Sequence, residues 1–564
     1  MTLRLAPDAA TRRHLADVAR GVAVPDLVLR GGALVDVYTD EVLEGWGVAV
    51  AGDRIASLGP AVNTLIGEET RVIELNGRIV APGLVEGHTH LVRASISELV
   101  CGQLAAGVTT TIAESMELAL AGGVEAVQDL LREAAGVPGR AFLTLGGILV
   151  PDDEVDARVA PAPQWERLLD DHLVAGVGEM YWAEVLRGHG RTEQLVQGAL
   201  ERGLTVEGHG AGARHPALAA LAALGATADH EGIDGEDLRT RLRLGLWAEA
   251  RHGSTRQDLD RIAPLWQDGH LDLSRLTLTC DGVEPDQLLR QESLNAVVER
   301  AVELGLPFAR AVRLASRGPA ERFGIARWLG GITPGAFADL VILPRDDRFR
   351  PDRVLVGGRE PVPAAVAGSG GPSRARPLQM PREELLQRPP AGRWRAMQLS
   401  GPTVTREVES DGTDALLVVA LDRGERCRGA CGLLLGFGMD RGAVAWTTGW
   451  EAPGPVACGS APEELRHALS ALRDLGAGGV AVVAGGRVFA AWRADVAGIV
   501  SSAPLPTIVR DVEAVQAALR SLGAITPNPM LTLETLTTTA IPFLRLTASG
   551  YYRARDGSRP GLAW

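Results

Sequence analysis

Apolar and polar positions divide this chain into stretches of different rhythm. From about Asp26 to Val80 the apolar runs are short, as in Leu27-Val28-Leu29, Val48-Ala49-Val50 and Val72-Ile73-Glu74-Leu75, and Gly and Asp punctuate them at turn spacing. That pattern predicts a small antiparallel β-unit. Between Ala81 and Ala326, runs such as Val108 to Ala113, Ala141 to Leu145, Leu204 to His209 and Leu276 to Asp281 alternate with helical stretches at Val124 to Ala135, Gln194 to Arg202 and Leu294 to Leu304. Alternation over about 245 residues has the length and rhythm of a (β/α)8 barrel. Strand-like runs return at Gly331 to Leu343 and Val354 to Arg359, where they are expected to complete the N-terminal sheet.

From Glu360 to Gly392 the chain turns rich in Pro, Gly, Ala and Arg, the composition of a linker. Beyond it, strands (Leu416 to Leu421, Val480 to Val483) and helices (Pro462 to Leu475, Val512 to Leu522) predict a separate C-terminal α/β domain. The expected division is 1–80 and 327–360 for a composite β-domain, 81–326 for the barrel, 361–398 for the linker and 399–564 for the C-terminal domain.

A length of 564 residues agrees with several units. Composition is globular, with 46% apolar and 23% charged residues, and no apolar run approaches the roughly 18 residues of a membrane span. The segment Met1 to Arg20 has charges at close intervals and no apolar core, which argues against a signal peptide, so a soluble cytoplasmic protein is expected. A net charge of −13 without a basic stripe weighs against nucleic-acid binding. Five cysteines, an odd number with no paired framework, fit a reducing compartment. All 57 basic residues are Arg, and the absence of Lys excludes a Schiff base, a P-loop lysine and a carboxylated-lysine metal bridge.

The sharpest chemistry lies in Val80 to His90, where an apolar run and a Pro-Gly turn precede His88-Thr89-His90. Side chains two apart on a strand share a face, so the two imidazoles can meet one ion. Glu179, His209, His230 and Asp281 fall at further strand ends. Four imidazoles and two carboxylates without a thiolate set suit Zn, Mn or Fe(II). Each has a structural alternative: Glu179 as a loop carboxylate, His209 as a turn residue between Gly208 and Gly210, His230 with Asp229 orienting its ring and Glu231 facing substrate. The glycines beside His209 also allow an ion or substrate to approach closely.

On these residues the chain resembles the amidohydrolase superfamily and, within it, the adenine deaminase family. The resemblance runs through Ala81-Pro82-Gly83, His88 and His90, Gly178-Glu179-Met180, Val206 to Gly210 and Ala228 to Glu231. It continues at Arg251-His252-Gly253-Ser254, Thr279-Cys280-Asp281 and Pro334 to Asp339, and reaches Gly436 to Ala443 in the C-terminal domain. It implies a metal-dependent (β/α)8 barrel with a small composite β-domain and a C-terminal α/β domain, two divalent ions, a small-molecule substrate and a homo-oligomer. By resemblance His88, His90 and Asp281 hold one ion, His209 and His230 the other, and Glu179 bridges them, a glutamate where many relatives use carboxylated lysine. Asp281 would accept a proton from water and pass it to the leaving group, with Glu231 a second proton carrier near the ring.

The surrounding polar residues depart from the family pattern. Leu91-Val92-Arg93-Ala94-Ser95 replaces Ile-Glu-Ser-Ser, Glu114-Ser115-Met116-Glu117 replaces Asp-Pro-His-Glu, and Gly449-Trp450-Glu451-Ala452-Pro453 replaces His-Asp-Ser-His-Asn. Arg93, Ser95 and Glu117 are accordingly the expected substrate-binding residues; with a substrate other than adenine Arg93 is a candidate for binding an anionic group, its alternative being a surface loop arginine. The expected reaction is hydrolytic deamination of adenine to hypoxanthine and ammonia. The alternatives are hydrolysis of another cyclic amide, amidine or related C–N bond, and a non-catalytic metal-binding or scaffold protein.

Overall fold

The computed structural model describes residues 5–151, 153–267, 269, 271–362, 378–422, 427–452 and 454–564. Eight parallel strands form its centre: Leu84–Thr89, Val108–Glu114, Arg140–Leu145, Val174–Tyr181, Thr205–His209, Ala228–Asp229, Trp247–Arg251 and Leu276–Thr279. Each pairs with its neighbour in sequence order, and a parallel bridge between Thr89 and Asp281 brings the last strand back to the first, giving a near-closed barrel. The strands are buried along nearly their whole length, as expected where helices cover one face and packed side chains fill the other. The expected helices form at Met116–Ala134, Gly190–Glu201 and Leu294–Glu303. The first extends further toward its N-terminus than periodicity suggested, across a break at Gly123, whose φ of 68° is a conformation glycine adopts without a Cβ clash.

The flanking β-unit is two sheets rather than the one expected. Leu27–Arg30, Gly47–Ala51, Arg54–Gly59 and Arg71–Glu74 form a four-stranded sheet. The returning strands Leu340–Leu343 and Arg353–Leu355 join Ile79–Pro82, Ala33–Asp36 and Glu41–Glu44 in a second sheet. One apolar cluster draws on both sheets, from Leu29, Val48 and Ile55 to Leu34, Val80 and Ile342. Short apolar runs specify strands but not which partner each finds, because pairing is a tertiary choice.

C-terminally, eight strands form a largely antiparallel sheet from Thr405–Ser410 at one edge to Arg487–Arg493 at the other. Helices Pro462–Asp474 and Leu505–Ser521 accompany it. The expected linker overlaps this sheet at Trp394–Leu399, and residues 363–377 of it lie outside the described residues. All five cysteines are free thiols. Among the described residues no helix is long and apolar enough to cross a membrane.

Candidate metal centre at the barrel mouth

The strand ends bring the six expected residues together. His88 lies in the first strand and His90 follows it, their rings 5.2 Å apart and edge to face. Glu179 comes from the fourth strand, where the register shifts between Val177 and Met180, and His209 ends the fifth. His230 follows the sixth strand and Asp281 the eighth, Asp281 with a left-handed φ of 63° that a non-glycine residue holds only against steric cost. One Glu179 oxygen lies 3.6 Å from His88 Nε2, 3.4 Å from His90 Nε2 and 3.2 Å from His230 Nε2. Asp281 Oδ1 lies 3.3 Å from His88 Nε2 and 3.5 Å from His90 Nε2. Among the described residues three donor sets result, His88/His90/Glu179/Asp281, Glu179/His209/His230 and His88/Glu207/His230, with Glu179 in two of them.

The electrostatics of this cluster favour added positive charge. Burial raises the cost of charging Glu179, yet His209 and His90 hold its pKa well below the ordinary range. Burial likewise opposes ionisation of Asp281, and His88 and Arg251 overcome it to keep that carboxylate charged. Burial disfavours a protonated His90, but Glu117 and Glu179 lift its pKa well above the usual value. Nε2 of both His88 and His230 is buried without a hydrogen-bond partner. Buried nitrogen atoms left open around ionised carboxylates fit a divalent cation, and the donor set of imidazole and carboxylate suits one of borderline to hard character.

Beside the candidate ligands sits a layer that sequence reasoning did not assign. Glu86, Glu207 and Glu249 each lie two residues before a mouth residue (His88, His209 and Arg251) and are buried with it. The motif Glu-x-His or Glu-x-Arg recurring on three strands was the available signal, since strand side chains two apart point the same way. Glu207 Oε1 stands 3.7 Å from His88 Nδ1 and 3.9 Å from His230 Nδ1. Arg322 pairs with Glu207 and, at 2.6 Å, with Glu249. Burial pushes Glu249 well above the ordinary carboxylate range despite Arg322, whereas Arg322 and His88 outweigh burial to lower Glu207.

Three expected substrate contacts have other partners in the structure. Arg93 is absent from the lining of the mouth cavity; its Nη1 donates to Glu284 at 2.5 Å and its Nη2 to Glu534 at 2.7 Å, joining barrel to C-terminal domain. A left-handed φ of 61° at Arg93 turns the chain just after the His-x-His pair. Ser95 caps a helix, accepting from Glu98 N at 3.4 Å. Glu117 lies outside the cavity lining and its Oε1 accepts from His90 Nδ1–H at 2.6 Å, the placement of an outer partner that would orient a metal-binding imidazole.

Two other readings change. Asp229 bonds the backbone N of Glu231 at 2.9 Å and Arg241 Nε at 2.6 Å, so it orients the chain at Glu231 instead of the His230 ring. A Cβ on Gly208 would meet Ala228 O at 2.9 Å and one on Gly210 would strike the Asp229 carboxylate; these glycines serve the adjoining strand. Arg251, quoted in the sequence without a role, donates to Glu231 and, at 3.1 Å, to Asp281 Oδ2, tying together the two expected proton carriers.

A cavity of about 290 Å³ opens onto this cluster. Its barrel side carries His90, Glu179, His209, Glu231 and Asp281, and its other side comes from the C-terminal domain, including Trp450, Glu451, Thr538 and Phe543. Trp450 stacks on His90 with ring centroids 5.4 Å apart. A small concave pocket, mostly apolar with a few convergent polar groups, is the usual form of a small-molecule site.

A family model for the amidohydrolase family matches residues 79–360, and with the eight-stranded barrel and its strand-end His, Glu and Asp cluster this defines the chain as an amidohydrolase, a hydrolase of C–N bonds that uses divalent metal. A second model, for the adenine deaminase C-terminal domain, matches residues 395–558. The chain is 31% identical to the adenine deaminase of Cenarchaeum symbiosum (strain A), over 97% of this chain and 94% of that one. It is 30% identical to the adenine deaminase of Moorella thermoacetica, over 96% of each. This chain belongs to the adenine deaminase family. Molinate hydrolase, a solved structure, is 17% identical with a TM-score of 0.47, covering 64% of this chain and 98% of that one.

Proposed function

We propose that this chain converts adenine and water into hypoxanthine and ammonia. Similarity to adenine deaminases over nearly the whole chain carries the choice of adenine, and the donor geometry supports the hydrolytic chemistry: Glu179 belongs to two buried sets of candidate ligand atoms at a cavity sized for a small molecule. Such sharing supports two ions: His88, His90 and Asp281 would hold one, His209 and His230 the other, and Glu179 could contribute to both. Divalent ions such as Mn, Fe(II) or Zn would lower the pKa of water there and polarise the atom under attack.

The remaining chemistry belongs to side chains. Asp281, its Oδ1 toward His88 and His90 and its Oδ2 toward Arg251, takes a proton from the attacking water. It delivers that proton to the amino group, which leaves as ammonia when the C–N bond breaks. The water's second proton remains on a ring nitrogen of hypoxanthine, and Glu231 is the carrier placed to move it. Arg251 keeps Glu231 and Asp281 in register and, with His209, offsets the burial that would otherwise neutralise Glu231. Trp450 and the apolar C-terminal side exclude bulk water from the reacting atoms.

The sheet memberships support a composite β-domain, a barrel and a C-terminal domain as the working division of the chain; we further infer a homo-oligomer from the family and a cytoplasmic location from composition and the unpaired cysteines. The test is ammonia release from adenine by Mn-reconstituted protein with metal counted in the same sample. Turnover with about two ions per chain is expected; two ions without turnover would keep the hydrolase and discard adenine.

A further inference from the structure

The C-terminal side of the cavity contains a buried carboxylate and a buried hydroxyl to which the proposed mechanism gives no task. Glu451 is 4% exposed and lines the cavity. Its Oε2 accepts from Thr539 N at 2.6 Å and from the Thr539 hydroxyl, and its Oε1 accepts from Ala540 N at 3.2 Å. A carboxylate offers about four lone-pair positions, so these three donors anchor the group and leave acceptor capacity on Oε1. Thr538, also 4% exposed and lining the cavity, has a buried hydroxyl with no hydrogen-bond partner. Such an orphaned polar group costs free energy unless a ligand completes it.

The chain keeps this pair rigid. Arg545 is wholly buried and donates to the carbonyls of Thr535, Ile541, Pro542 and Thr403, while Glu451 holds the N–H groups of Thr539 and Ala540. The segment 538–543 is therefore fastened through its carbonyls and its amides, and next to Glu451 the Trp450 ring is set against His90.

We propose that Glu451 and Thr538 form the specificity face that reads the imidazole edge of the base, Glu451 accepting from the ring N–H at position 9 and Thr538 donating to the bare nitrogen at position 7. This rests on the adenine reading above. A flat base with its reacting carbon at the metal cluster turns its five-membered ring toward the C-terminal side, and that edge has one donor and one acceptor. The two groups thus supply the complementary pair, an acceptor already fixed in place and a donor lacking a partner. The ligand class is a purine unsubstituted at position 9, and a base substituted there loses the Glu451 contact and meets a buried carboxylate instead.

The experiment measures KM for adenine and inhibition constants for 9-methyladenine and 7-deazaadenine in Mn-reconstituted wild type, Glu451→Gln and Thr538→Val, with metal counted in each. In Glu451→Gln the discrimination of adenine over 9-methyladenine is expected to fall by about tenfold or more, with discrimination over 7-deazaadenine retained. In Thr538→Val the discrimination over 7-deazaadenine falls, by about threefold to tenfold, and that over 9-methyladenine is retained. A merely structural role would change stability or metal content and leave these ratios alone. Wild-type ratios in Thr538→Val, which is nearly isosteric, overturn the assignment even if Glu451→Gln does not fold. Absence of ammonia release by the wild type removes the adenine reading and this assignment together, whereas wild-type turnover with unchanged ratios in the variants removes this assignment alone.

Discussion

Two buried charge clusters begin within six residues of each other and end differently. His88 and His90 enter a group with Glu179, His230 and Asp281, whose ligand atoms stand 3.2 to 3.6 Å apart and whose ring nitrogens include unpaired ones. Arg93 enters a group with Glu284 and Glu534, whose carboxylates meet its terminal nitrogens at 2.5 and 2.7 Å. The first cluster is open toward a cation and the second supplies its own. Burial of charge alone therefore does not mark a functional site; what marks it is buried charge that the protein leaves unbalanced.

The largest expected effects fall on the open cluster. Glu179→Gln and His88→Ala should each lose bound metal, and Asp281→Asn should lower kcat by about 10²–10⁴-fold, read by ammonia release with metal counted. Full metal retention in both Glu179→Gln and His88→Ala would erase the distinction between the clusters. Next comes the closed one. Arg93→Met strands the buried Glu534 and the partly buried Glu284 and should cost about 3–5 kcal/mol of stability in denaturant unfolding, while metal per folded chain is unchanged. Loss of metal in that variant at full stability would show Arg93 to belong to the site after all.

Smaller effects sharpen the comparison. Glu117→Ala removes the partner of His90 Nδ1 and should weaken metal binding by about 10–100-fold in a chelator titration. Glu534 provides the pH test of the closed cluster. Burial raises its pKa to about 7 although Arg93 and the Thr448 hydroxyl favour its charged form. A carboxyl raised in the folded state contributes stability that is complete below the unfolded value near pH 4.5 and is lost as pH rises through 7. Thermal stability should therefore decline between pH 5 and pH 8, and Glu534→Gln should flatten part of that decline; the slope should persist in part because burial also raises Glu451 to about 7.

Much of the site was legible because it is periodic and local. His88 and His90 share a strand face, His209 ends an apolar strand, His230 and Asp281 follow such strands, and a parallel barrel collects such ends at one mouth. The same period of two also carried Glu86, Glu207 and Glu249, whose positions were readable although their shared layer went unnoticed. Arg93, Ser95 and Glu117 show the limit of local reading: Arg93 and Ser95 stand close to His90 in sequence and Glu117 27 residues on, yet an ion-paired turn, a helix cap and the His90 Nδ1 hydrogen bond engage them.

By itself the sequence determined the barrel rhythm, the residue types available as ligands and, through the absence of Lys, that no carboxylated lysine can hold a metal here. Only the tertiary structure decided how the returning strands divide between two sheets, that Arg93 is closed by Glu534 from 441 residues away, and that Glu451 and Thr538 face the cavity. The physical reason is range. Backbone periodicity and side-chain chemistry act over a few residues and are written locally, whereas the pairing of a buried charge depends on which distant group the completed fold brings within hydrogen-bond distance.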